Sequence, residues 1–334
     1  MAEPEPVVGS GLVDPQGRHL TYLRLGITER CDLHCAYCNV AGATSDGREE
    51  LPLADLRTLG VAFARRLGFH KLRLTGGEPL MRSDLPEIVR AMRDEAGFPR
   101  IALTTNGRLL ARRVRALAAA GVQQVNISLD TLCAGAYREV RGADALDDVL
   151  RGIDAALAAG LARVKVNVVL LRSVGFSEFD SFLAWGAGRP IELRFIELMP
   201  IDGLDEFHRR EHVSSEPLID RILDGGFVPQ ESEPDAGPAV VYARSGDPLR
   251  VGFVSAITKP FCERCNRLRV TPRGALKLCL FGRGFVDLRP FLAQGPEAVA
   301  DVVRRAIVDR EDGFRSIGRP VGCEADRGMR GIGG

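Results

Sequence analysis

The sequence has no apolar run long enough to cross a membrane, and its charges almost cancel. The longest apolar stretch, residues 161–171, is broken by Arg163 and Lys165, whereas a membrane-spanning helix needs about 20 apolar residues. The 45 basic residues face 44 acidic ones, for a net charge of +1, which argues against a generally basic nucleic-acid-binding surface. The acidic N-terminus lacks the basic-then-apolar order of a signal peptide. These absences predict a cytoplasmic protein that binds neither membrane nor nucleic acid.

Lysine is scarce, and the common phosphate-binding loops are missing. Only four lysines accompany 41 arginines, and no Gly-Lys dipeptide occurs. No G-x-G-x-x-G motif follows a predicted strand either, so a Walker A loop and a dinucleotide fingerprint are both excluded. A nucleotide bound by this chain would have to be held by side chains.

The eight cysteines follow a pattern that is typical of metal ligands. Without a secretion signal they do not predict disulfides. Six of them form two triplets with short spacings, which are Cys31-x3-Cys35-x2-Cys38 and Cys262-x2-Cys265-x13-Cys279. The two isolated cysteines, Cys133 and Cys323, are interpreted as non-ligands because a lone cysteine usually behaves as a small apolar residue.

The first two thirds of the 334 residues alternate between β-branched apolar runs and amphipathic helical patterns. This alternation is typical of βα units. The predicted strands are 20–27, 70–75, 100–104, 123–129, 163–171 and 191–196. The predicted helices are 53–67, 84–96, 108–120, 146–159 and 176–186, the second opening with an Asp84 cap and the third ending at Gly121. Six such units predict an α/β fold, a partial (β/α)6 TIM-like barrel, two units short of a full one.

The pattern changes after Pro200. A helix is predicted at 213–223, short strands near 240–243, 249–254, 268–271 and 276–280, and two helices between Asp287 and Asp309, while 229–238 is predicted to be an exposed loop. The chain is therefore divided into an N-terminal tail (1–19), a partial barrel (20–212) and a C-terminal α+β extension (213–334).

The first triplet lies directly after the first predicted strand, where barrel enzymes carry their chemistry. Three thiolates spaced three then two apart, with no fourth cysteine nearby, suit a 4Fe–4S cube that keeps one iron open. The alternative is a zinc site with His34 as the fourth ligand.

Polar segments follow the next three predicted strands. They are Thr75-Gly-Gly-Glu-Pro79, Thr104-Thr-Asn-Gly107 and Asn126-Ile-Ser-Leu-Asp130. Each alone could be loop chemistry. Because the ends of parallel strands meet at one edge of a sheet, the three segments are predicted to surround one barrel mouth.

The second triplet is followed by a strand with alternating arginines. Arg267 and Arg269 would face the same side of that strand, and two arginines beside a cluster suit a bound polyphosphate. A structural zinc ribbon is the alternative for these cysteines.

The segment Cys31-Asp-Leu-His-Cys35-Ala-Tyr37-Cys38 matches the CxxxCxφC motif of radical S-adenosylmethionine (SAM) enzymes. Together with TGGEPL, TTNG, NISLD, the Lys165 strand, RFIELM, the second triplet with its R-x-R, and a C-terminal Gly333-Gly334, the chain resembles the GTP 3′,8-cyclase family of molybdenum cofactor biosynthesis. Only the loop after Cys38 departs from the family pattern.

The resemblance implies two 4Fe–4S clusters, one on each cysteine triplet, and SAM as cofactor. The implied SAM contacts are Tyr37, Gly77, Ser128 and Met199. The implied GTP contacts are Arg24, Arg73, Thr104, Lys165, Arg267, Leu268 and Arg269, with Arg267, Arg269, Gly333 and Gly334 as the catalytic set. A 5′-deoxyadenosyl radical would abstract the ribose 3′ hydrogen, and C3′ would then attack guanine C8. An electron donor and a downstream cyclic pyranopterin monophosphate synthase are the implied partners, and a homodimer is left open.

Two alternatives and one further motif remain. The alternatives are a peptide-modifying radical SAM enzyme with an auxiliary cluster and a zinc-stabilised nucleic-acid-binding module. The string His208-Arg-Arg-Glu211-His212 resembles a zinc-peptidase motif. It is interpreted as a solvated connector because no apolar helical face surrounds it.

Overall fold

A computed structural model describes residues 11–38, 49–200, 204–232, 237–281 and 285–310. The strands are β1 Leu12–Val13, β2 His19–Leu20, β3 Tyr22–Thr28, β4 Lys71–Gly76, β5 Arg100–Thr105, β6 Gln124–Ser128, β7 Arg163–Leu170, β8 Glu192–Glu197, β9 Val228–Pro229, β10 Val240–Ala243, β11 Arg250–Val254, β12 Arg267–Val270, β13 Ala275–Lys277 and β14 Val286–Asp287. The α-helices are α1 Leu53–Val61, α2 Leu85–Arg90, α3 Leu110–Ala120, α4 Ala134–Arg141, α5 Leu146–Ala158, α6 Phe179–Gly186, α7 Asp205–Glu211, α8 Glu216–Asp224, α9 Arg289–Leu292 and α10 Pro296–Ala306.

The six predicted strands of the barrel are confirmed as β3 to β8, which pair in parallel in chain order. All five predicted crossover helices are present, and the first two continue into π-helical turns at Ala62–Arg66 and Ala91–Glu95. Gly121 ends α3 with a φ of 123°, a conformation that side-chain-bearing residues rarely adopt. Helix α4 was not predicted.

Two strands from the C-terminal region extend the parallel sheet at both ends. Strand β12 pairs in parallel with β3, and β11 pairs in parallel with β8. Within the described residues, eight parallel strands therefore run in the order β12-β3-β4-β5-β6-β7-β8-β11, flanked by short antiparallel strands. The two strands that the six-unit prediction lacks are supplied by β11 and β12.

The two faces of the parallel strands differ sharply. Residues such as Leu23, Leu25, Leu72 and Leu74 are fully buried and form one core with the surrounding helices. The side chains at the alternate positions point to the opposite face, where they line one cavity. All eight parallel strands contribute to its wall, through Arg24, Arg73, Thr104, Asn126, Asn167, Arg194, Val254 and Arg269. The sheet therefore curls around a polar lumen, and the period of two in each strand separates core from site.

Strand β11 is attached to the barrel by aromatic packing. Phe253 stacks on Phe195 of β8 with ring centroids 5.7 Å apart, and Phe179 of α6 lies 4.8 Å from Phe195. All three side chains are buried. Aromatic pairs at such separations contribute about 0.5–1.5 kcal/mol beyond their buried area, so this cluster helps to hold the C-terminal region on the sheet.

Two local expectations need correction. Asp84 occupies the N-cap of α2, but its carboxylate makes no cap hydrogen bond and instead pairs with Arg82 at 2.6 Å. The string 208–212 is not a solvated connector, because 205–211 form α7, and Glu211 is buried and accepts hydrogen bonds from the backbone and hydroxyl of Ser173. His208 bonds the Leu198 carbonyl at 3.0 Å. These partners give the motif a structural role.

A buried ion cluster joins the two ends of the described chain. Asp14 pairs with Arg18 at 2.6 Å and with Arg310, and the side chains of all three are at most 7% exposed. Arg18 donates to the Cys262 carbonyl at 2.8 Å, and Arg310 donates to the Cys265 carbonyl at 3.1 Å. One carboxylate thus orients two arginines that hold the second cysteine segment.

We expect Asp14→Asn to lower the free energy of unfolding by about 3–5 kcal/mol, because it leaves two buried guanidinium groups without their counter-charge. Urea unfolding followed by circular dichroism measures the change. The control is Asp180→Asn, which breaks the exposed pair with Arg221 (side chains 71% and 50% exposed) and should cost no more than about 1 kcal/mol. Equal losses in both variants would contradict a special role for the buried cluster.

Candidate functional site

The first cysteine triplet lines a cavity of about 180 Å³ at the carboxyl ends of the strands. Every residue that the sequence assigned to SAM lines the same cavity, namely Tyr37, Gly77, Ser128 and Met199. Thr75, Thr105 and Asn106 from the TGGEP and TTNG segments also line it. The structure therefore brings together the three polar segments that were predicted to surround one mouth.

The fourth ligand that was predicted for a zinc site is not brought to these thiols. Among the described residues, no group of three or more His, Cys, Asp or Glu side chains is arranged to hold one metal ion. His34, the proposed fourth zinc ligand, is exposed and does not line the cavity. An iron–sulfur cube binds each thiolate through a different iron, so three thiols around one cavity fit such a cube.

A buried network holds the middle cysteine. Arg141 of α4 lies 3.3 Å from Cys35 Sγ and forms an ion pair with Asp130 at 2.9 Å. Tyr37 donates its phenolic hydrogen to the same carboxylate at 2.6 Å. Although burial disfavours its charge, Asp130 keeps the pKa of Arg141 well above the ordinary value. A permanent cation therefore faces the sulfur, and it stabilises negative charge there.

Gly76 and Gly77 allow two pieces of backbone to meet. A Cβ on Gly77 would lie 2.3 Å from the Arg30 carbonyl oxygen, and one on Gly76 would lie 2.2 Å from that of Thr28. The close approach that the glycines permit is thus to the segment leading into the cysteine loop. It leaves the Gly77 backbone at the cavity wall.

Glu78 organises the next turn. It is fully buried and accepts hydrogen bonds from Asn106 N (2.6 Å), Thr105 Oγ1 (2.7 Å) and Leu80 N (2.9 Å). Burial nevertheless raises its pKa to about 7. Both carboxylate oxygens of Glu78 accept hydrogen bonds from protein groups, so its role is to join the TGGEP and TTNG segments.

The second triplet lines a cavity of about 150 Å³ inside the barrel. The predicted GTP contacts in its wall are Arg24, Arg73, Thr104, Arg267 and Arg269. Leu268 is fully buried in the core, on the opposite face of β12, and lines none of the cavities described. Its side chain is therefore not brought to the site.

Strand register sets three arginines side by side. Arg269 of β12 pairs with Arg24 of β3, and Arg24 pairs with Arg73 of β4. Burial, together with the positive charge of Arg269, holds the pKa of Arg24 well below its ordinary value. Burial and Arg267 lower the pKa of Arg269 to about 10. The Nε atom of Arg269 is buried and has no hydrogen-bond partner within the described protein. Because like charges lie side by side in a buried place, this row of arginines lowers the stability of the fold unless an anion binds to it.

The positive field also acts on the neighbouring hydroxyl and thiol. Burial raises the pKa of Tyr22, but the nearby charges of Arg73, Arg24 and Lys71 outweigh this effect and lower the pKa to about 8. Burial also raises the pKa of the Cys265 thiol, but the charges of Arg267, Arg310 and Arg269 outweigh it and lower this pKa to about 6. A thiol that ionises near neutral pH is a good metal ligand, so the second triplet fits an iron–sulfur cluster.

Lys165 lies in a third, larger cavity of about 490 Å³ at the amino ends of the strands. It pairs with Glu192 at 2.9 Å, and Glu192 also pairs with Arg194. Burial and Arg194 lower the pKa of Lys165 to about 7. Although burial acts against it, Arg194 and Lys165 lower the pKa of Glu192 to about 2.

Sequence reasoning missed five basic residues of these cavities, which are Lys71, Arg100, Arg163, Arg194 and Arg250. Lys71 and Arg194 line these cavities beside Arg73 and Lys165. A signal existed for both: each lies two residues from another charged residue on a predicted strand, Lys71 from Arg73 and Arg194 from Glu192. With alternation of strand faces such pairs must share a face.

The three cavities join end to end. The cavities of the two triplets share Thr104, Asn167, Ile196 and Met199. The cavity of the second triplet and the largest cavity share Arg73, Arg194 and Gly237. One lumen therefore runs through the barrel, with thiols toward the carboxyl end and cations toward the amino end.

Glu197 joins the barrel to the C-terminal region at the edge of the first cavity. This fully buried carboxylate accepts hydrogen bonds from the backbone and hydroxyl of Ser215, from Ile257 N at 3.0 Å, and from the backbone and hydroxyl of Thr258. Although burial opposes it, these donors lower its pKa. The Glu in the RFIELM motif thereby connects three segments.

The remaining predicted residues divide into two groups. Cys133 is exposed at the start of α4 and lines none of these cavities. Cys323, Gly333 and Gly334 lie outside the described residues.

The described helices include none that is both long and apolar enough to cross a membrane.

Two family models match adjoining parts of the chain. Residues 25–186 match the radical SAM superfamily, and residues 191–316 match the family described as Molybdenum Cofactor Synthesis C. The boundary between them falls before β8.

Solved structures share the fold. The chain is similar to Streptococcus suis SuiB bound to S-adenosylmethionine, with a TM-score of 0.59 and 15% identity over 85% of this chain and 68% of that one. It is also similar to anSMEcpe with bound AdoMet, with a TM-score of 0.53 and 14% identity over 89% of this chain and 82% of that one. At these identities the likeness concerns the fold alone.

Curated relatives match over most of their length. A GTP 3′,8-cyclase of Haemophilus influenzae (strain PittEE) is 40% identical over 285 residues, which cover 85% of this chain and 84% of the relative. A GTP 3′,8-cyclase of Cronobacter sakazakii (strain ATCC BAA-894) is 41% identical over 302 residues, which cover 89% and 91%. The chain therefore belongs to the GTP 3′,8-cyclase family of the radical SAM superfamily.

Proposed function

We propose that this chain converts GTP to (8S)-3′,8-cyclo-7,8-dihydroguanosine 5′-triphosphate, the first step of molybdenum cofactor biosynthesis. The observation that carries the proposal is the barrel lumen, which joins two cysteine triplets to a dense set of buried cations. Ten basic residues line the second and third cavities: Arg24, Lys71, Arg73, Arg100, Arg163, Lys165, Arg194, Arg250, Arg267 and Arg269. A triphosphate is the kind of ligand that compensates such a field.

Family membership implies SAM and a 4Fe–4S cluster, and Cys31, Cys35 and Cys38 are the residues that would hold the cluster. When bound there, the cluster and SAM would supply a 5′-deoxyadenosyl radical for abstraction of the ribose 3′ hydrogen. Tyr37, Gly77, Ser128 and Met199 would line the SAM-binding wall. Arg141 contributes a fixed positive charge beside Cys35, and Asp130 keeps that guanidinium in place.

A second 4Fe–4S cluster belongs to the same proposal, held by Cys262, Cys265 and Cys279. Three thiols line one cavity, and arginines lower the pKa of Cys265 to about 6 despite burial. Arg18 and Arg310 fix the carbonyls of Cys262 and Cys265. The guanine would bind on this side of the lumen.

The chain's own residues bind and orient the nucleotide. Arg24, Arg73, Arg267 and Arg269 surround the triphosphate together with Lys165, so the phosphates fix the position of the ribose. Thr104 and Asn167 line both thiol-bearing cavities and lie where the ribose must pass between them. The narrow lumen limits the water around a reactive carbon radical. Holding the reacting atoms in one geometry is the main contribution of such a site.

Several finer elements stay proposals. The catalytic set of Arg267, Arg269, Gly333 and Gly334 includes a tail that we propose reaches the substrate cavity; that tail lies outside the described residues. The division into 1–19, 20–212 and 213–334, a cytoplasmic location, an external electron donor and transfer of product to a cyclic pyranopterin monophosphate synthase are proposed on the same family basis.

The alternative functions are less well supported. A peptide-modifying radical SAM enzyme fits the likeness to SuiB, but that likeness concerns the fold alone, and a lumen lined by ten basic residues favours a polyanion. The zinc-stabilised nucleic-acid module conflicts with the family match over 89% of the chain.

The two cysteine triplets should separate by mutation. Cys31→Ser should abolish SAM cleavage, whereas Cys265→Ser should retain measurable 5′-deoxyadenosine formation and lose the cyclised product, because only the first triplet shares a cavity with Tyr37, Gly77 and Ser128. Anaerobic reconstitution, iron analysis and chromatography of both products measure this. The unmodified protein should hold about eight irons. If Cys265→Ser lost cleavage while Cys31→Ser kept it, the assignment would be reversed.

Arg269→Met should have opposite effects on substrate binding and on stability. Loss of a charge-assisted hydrogen bond should weaken GTP binding by about 1.5–3 kcal/mol. Without nucleotide, the thermal midpoint of the cluster-loaded protein should rise, because a desolvated, mutually repelling guanidinium is removed. Anaerobic GTP titration and calorimetry test both, with SAM affinity as control. Equal weakening for GTP and SAM would indicate general damage.

GTP binding should take up a proton through Lys165. The pKa of Lys165 is about 7 in the protein without nucleotide, and a phosphate beside it must raise that pKa. Binding therefore favours the protonated amine, and affinity should fall up to about tenfold per pH unit above pH 7. The measurement is the dissociation constant between pH 7.5 and 9, where the γ-phosphate is already ionised. The control is Lys165→Arg, which stays charged and should flatten the dependence. An unchanged slope would contradict the role of Lys165.

A further inference from the structure

Helix α4 ends against the first cysteine loop. The carbonyl of Val140 in its last turn accepts a hydrogen bond from Ala36 N at 2.9 Å. The carbonyl of Arg141 accepts one from His34 N at 3.1 Å, so the two donors lie on either side of Cys35. The last carbonyls of a helix have no partner within the helix, and the cysteine loop supplies the missing donors. The backbone around Cys35 is thereby fixed on the end of α4.

The side chain of Arg141 contacts the same loop. Its Nη1 atom lies 3.3 Å from Cys35 Sγ, and the side chain is only 4% exposed. The fully buried carboxylate of Asp130 holds the guanidinium group, with Nε at 2.9 Å. Asp130 itself accepts hydrogen bonds from Tyr37 Oη at 2.6 Å and from Val169 N at 3.0 Å. The positive charge beside the sulfur therefore has one defined position.

Two buried donors next to this sulfur lack a partner. Neither Arg141 Nη2 nor the hydroxyl of the fully buried Tyr137 makes a hydrogen bond within the described part of the chain. The two residues are four apart on α4, so their side chains share one face. Burial raises the pKa of Tyr137 to about 12, and the charge of Cys35 acts in the same direction. Unsatisfied buried donors are costly, and the sulfides of an iron–sulfur cube would accept from them.

A fixed charge beside a cluster ligand acts on the electron that the cluster accepts. Reduction adds one negative charge, so a neighbouring cation stabilises the reduced state more than the oxidised state and raises the reduction potential. Net charge and hydrogen bonds at the sulfurs are recognised determinants of that potential. The buried carboxylate of Asp130 acts in the opposite direction, so the ion pair as a whole sets the value.

We propose that Arg141 is a positioning residue that acts through the Cys35 sulfur and raises the reduction potential of the first cluster, while Asp130 holds it in place and limits its effect. The inference rests on the first cluster of the proposed function and does not depend on which substrate the radical attacks. It gives helix α4 a role in electron uptake, because a higher potential allows a weaker electron donor to reduce the cluster.

The first test compares Arg141→Met, which removes the charge, with Arg141→Lys, which keeps it. An anaerobic redox titration of the cluster-loaded protein is followed by electron paramagnetic resonance, and the signal that changes on addition of SAM is assigned to the first cluster. Arg141→Met should lower the equilibrium constant for its reduction about tenfold, which is a shift of about 59 mV to lower potential for one electron. Arg141→Lys should stay close to the unmodified protein. Equal shifts in both variants would overturn the inference.

The second test uses the other half of the ion pair. Asp130→Asn removes a negative charge while its amide oxygen still accepts a hydrogen bond, so the potential of the first cluster should rise. Opposite shifts from the two partners cannot result from a loosened loop, which would move both variants the same way. A lowered or unchanged potential in Asp130→Asn would overturn the inference. This variant alone decides the question if iron analysis shows that Arg141→Met does not hold the first cluster.

Two controls separate a local effect from a general one. Arg138 lies on the same helix, but its side chain is 63% exposed and pairs with the exposed Asp144, so solvent and salt screen its charge. Arg138→Met should leave the potential of the first cluster unchanged. The second cluster is the internal control, because its ligand Cys265 lies beside Arg310 at 3.5 Å. If Arg138→Met shifted the first potential as much as Arg141→Met, or if both clusters shifted equally, the inference would be overturned.

The remaining outcomes distinguish this inference from the proposed function. Weaker SAM binding by Arg141→Met at an unchanged potential would place Arg141 in the SAM site and overturn the inference. An unmodified protein that cleaves SAM but forms no cyclised product from GTP would refute the proposed function, whereas the opposite shifts of Arg141→Met and Asp130→Asn would still support the inference. A first triplet that takes up no iron would refute both.

Discussion

Mutual repulsion among buried cations is the constraint on which the rest of this structure depends. Arg269, Arg24 and Arg73 stand side by side on three neighbouring strands, and their charges disfavour one another in a desolvated lumen. Because charges buried without partners are costly, something else must stabilise the barrel. The outer face of the same strands does so, with a continuous apolar core against the helices.

The cations are only partly compensated within the described chain. Glu192 neutralises part of the charge of Lys165 and Arg194, and burial leaves the Lys165 amine with a pKa near 7. Among the described residues that line the cavity of the arginine row, none carries a carboxylate. A bound triphosphate would relieve the repulsion among these cations, and this provides affinity without a phosphate-binding loop.

The C-terminal region is part of the barrel in a physical sense. Strands β11 and β12 occupy the two ends of the parallel sheet, and β12 brings Arg267 and Arg269 into register with Arg24. Glu197 and the aromatic contact between Phe195 and Phe253 fasten the same region to β8. The arginines of the lumen and the second triplet are thus placed by the sheet that also places the first triplet.

Local patterns in the sequence were sufficient for the six βα units, both cysteine triplets and the polar segments that line the first cavity. Spacing, strand alternation and helix terminators act over a few residues, so a linear reading recovers them. Lys71 and Arg194 were within reach of the same alternation rule. Arg141 was not, because α4 has no strong local signal, and its guanidinium matters only through contacts with Asp130 and Cys35, far away in sequence.

The sequence by itself determined the fold class, the two cysteine triplets as candidate cluster ligands and the lack of a phosphate-binding loop. Only the tertiary structure decided that β11 and β12 complete the sheet, that Asp14 and Arg310 meet across 296 residues to hold the second triplet, and that Leu268 faces the core. It also decided that one lumen crosses the barrel. These features depend on strand register and on long-range charge pairing, and neither has a signature in a local stretch of chain.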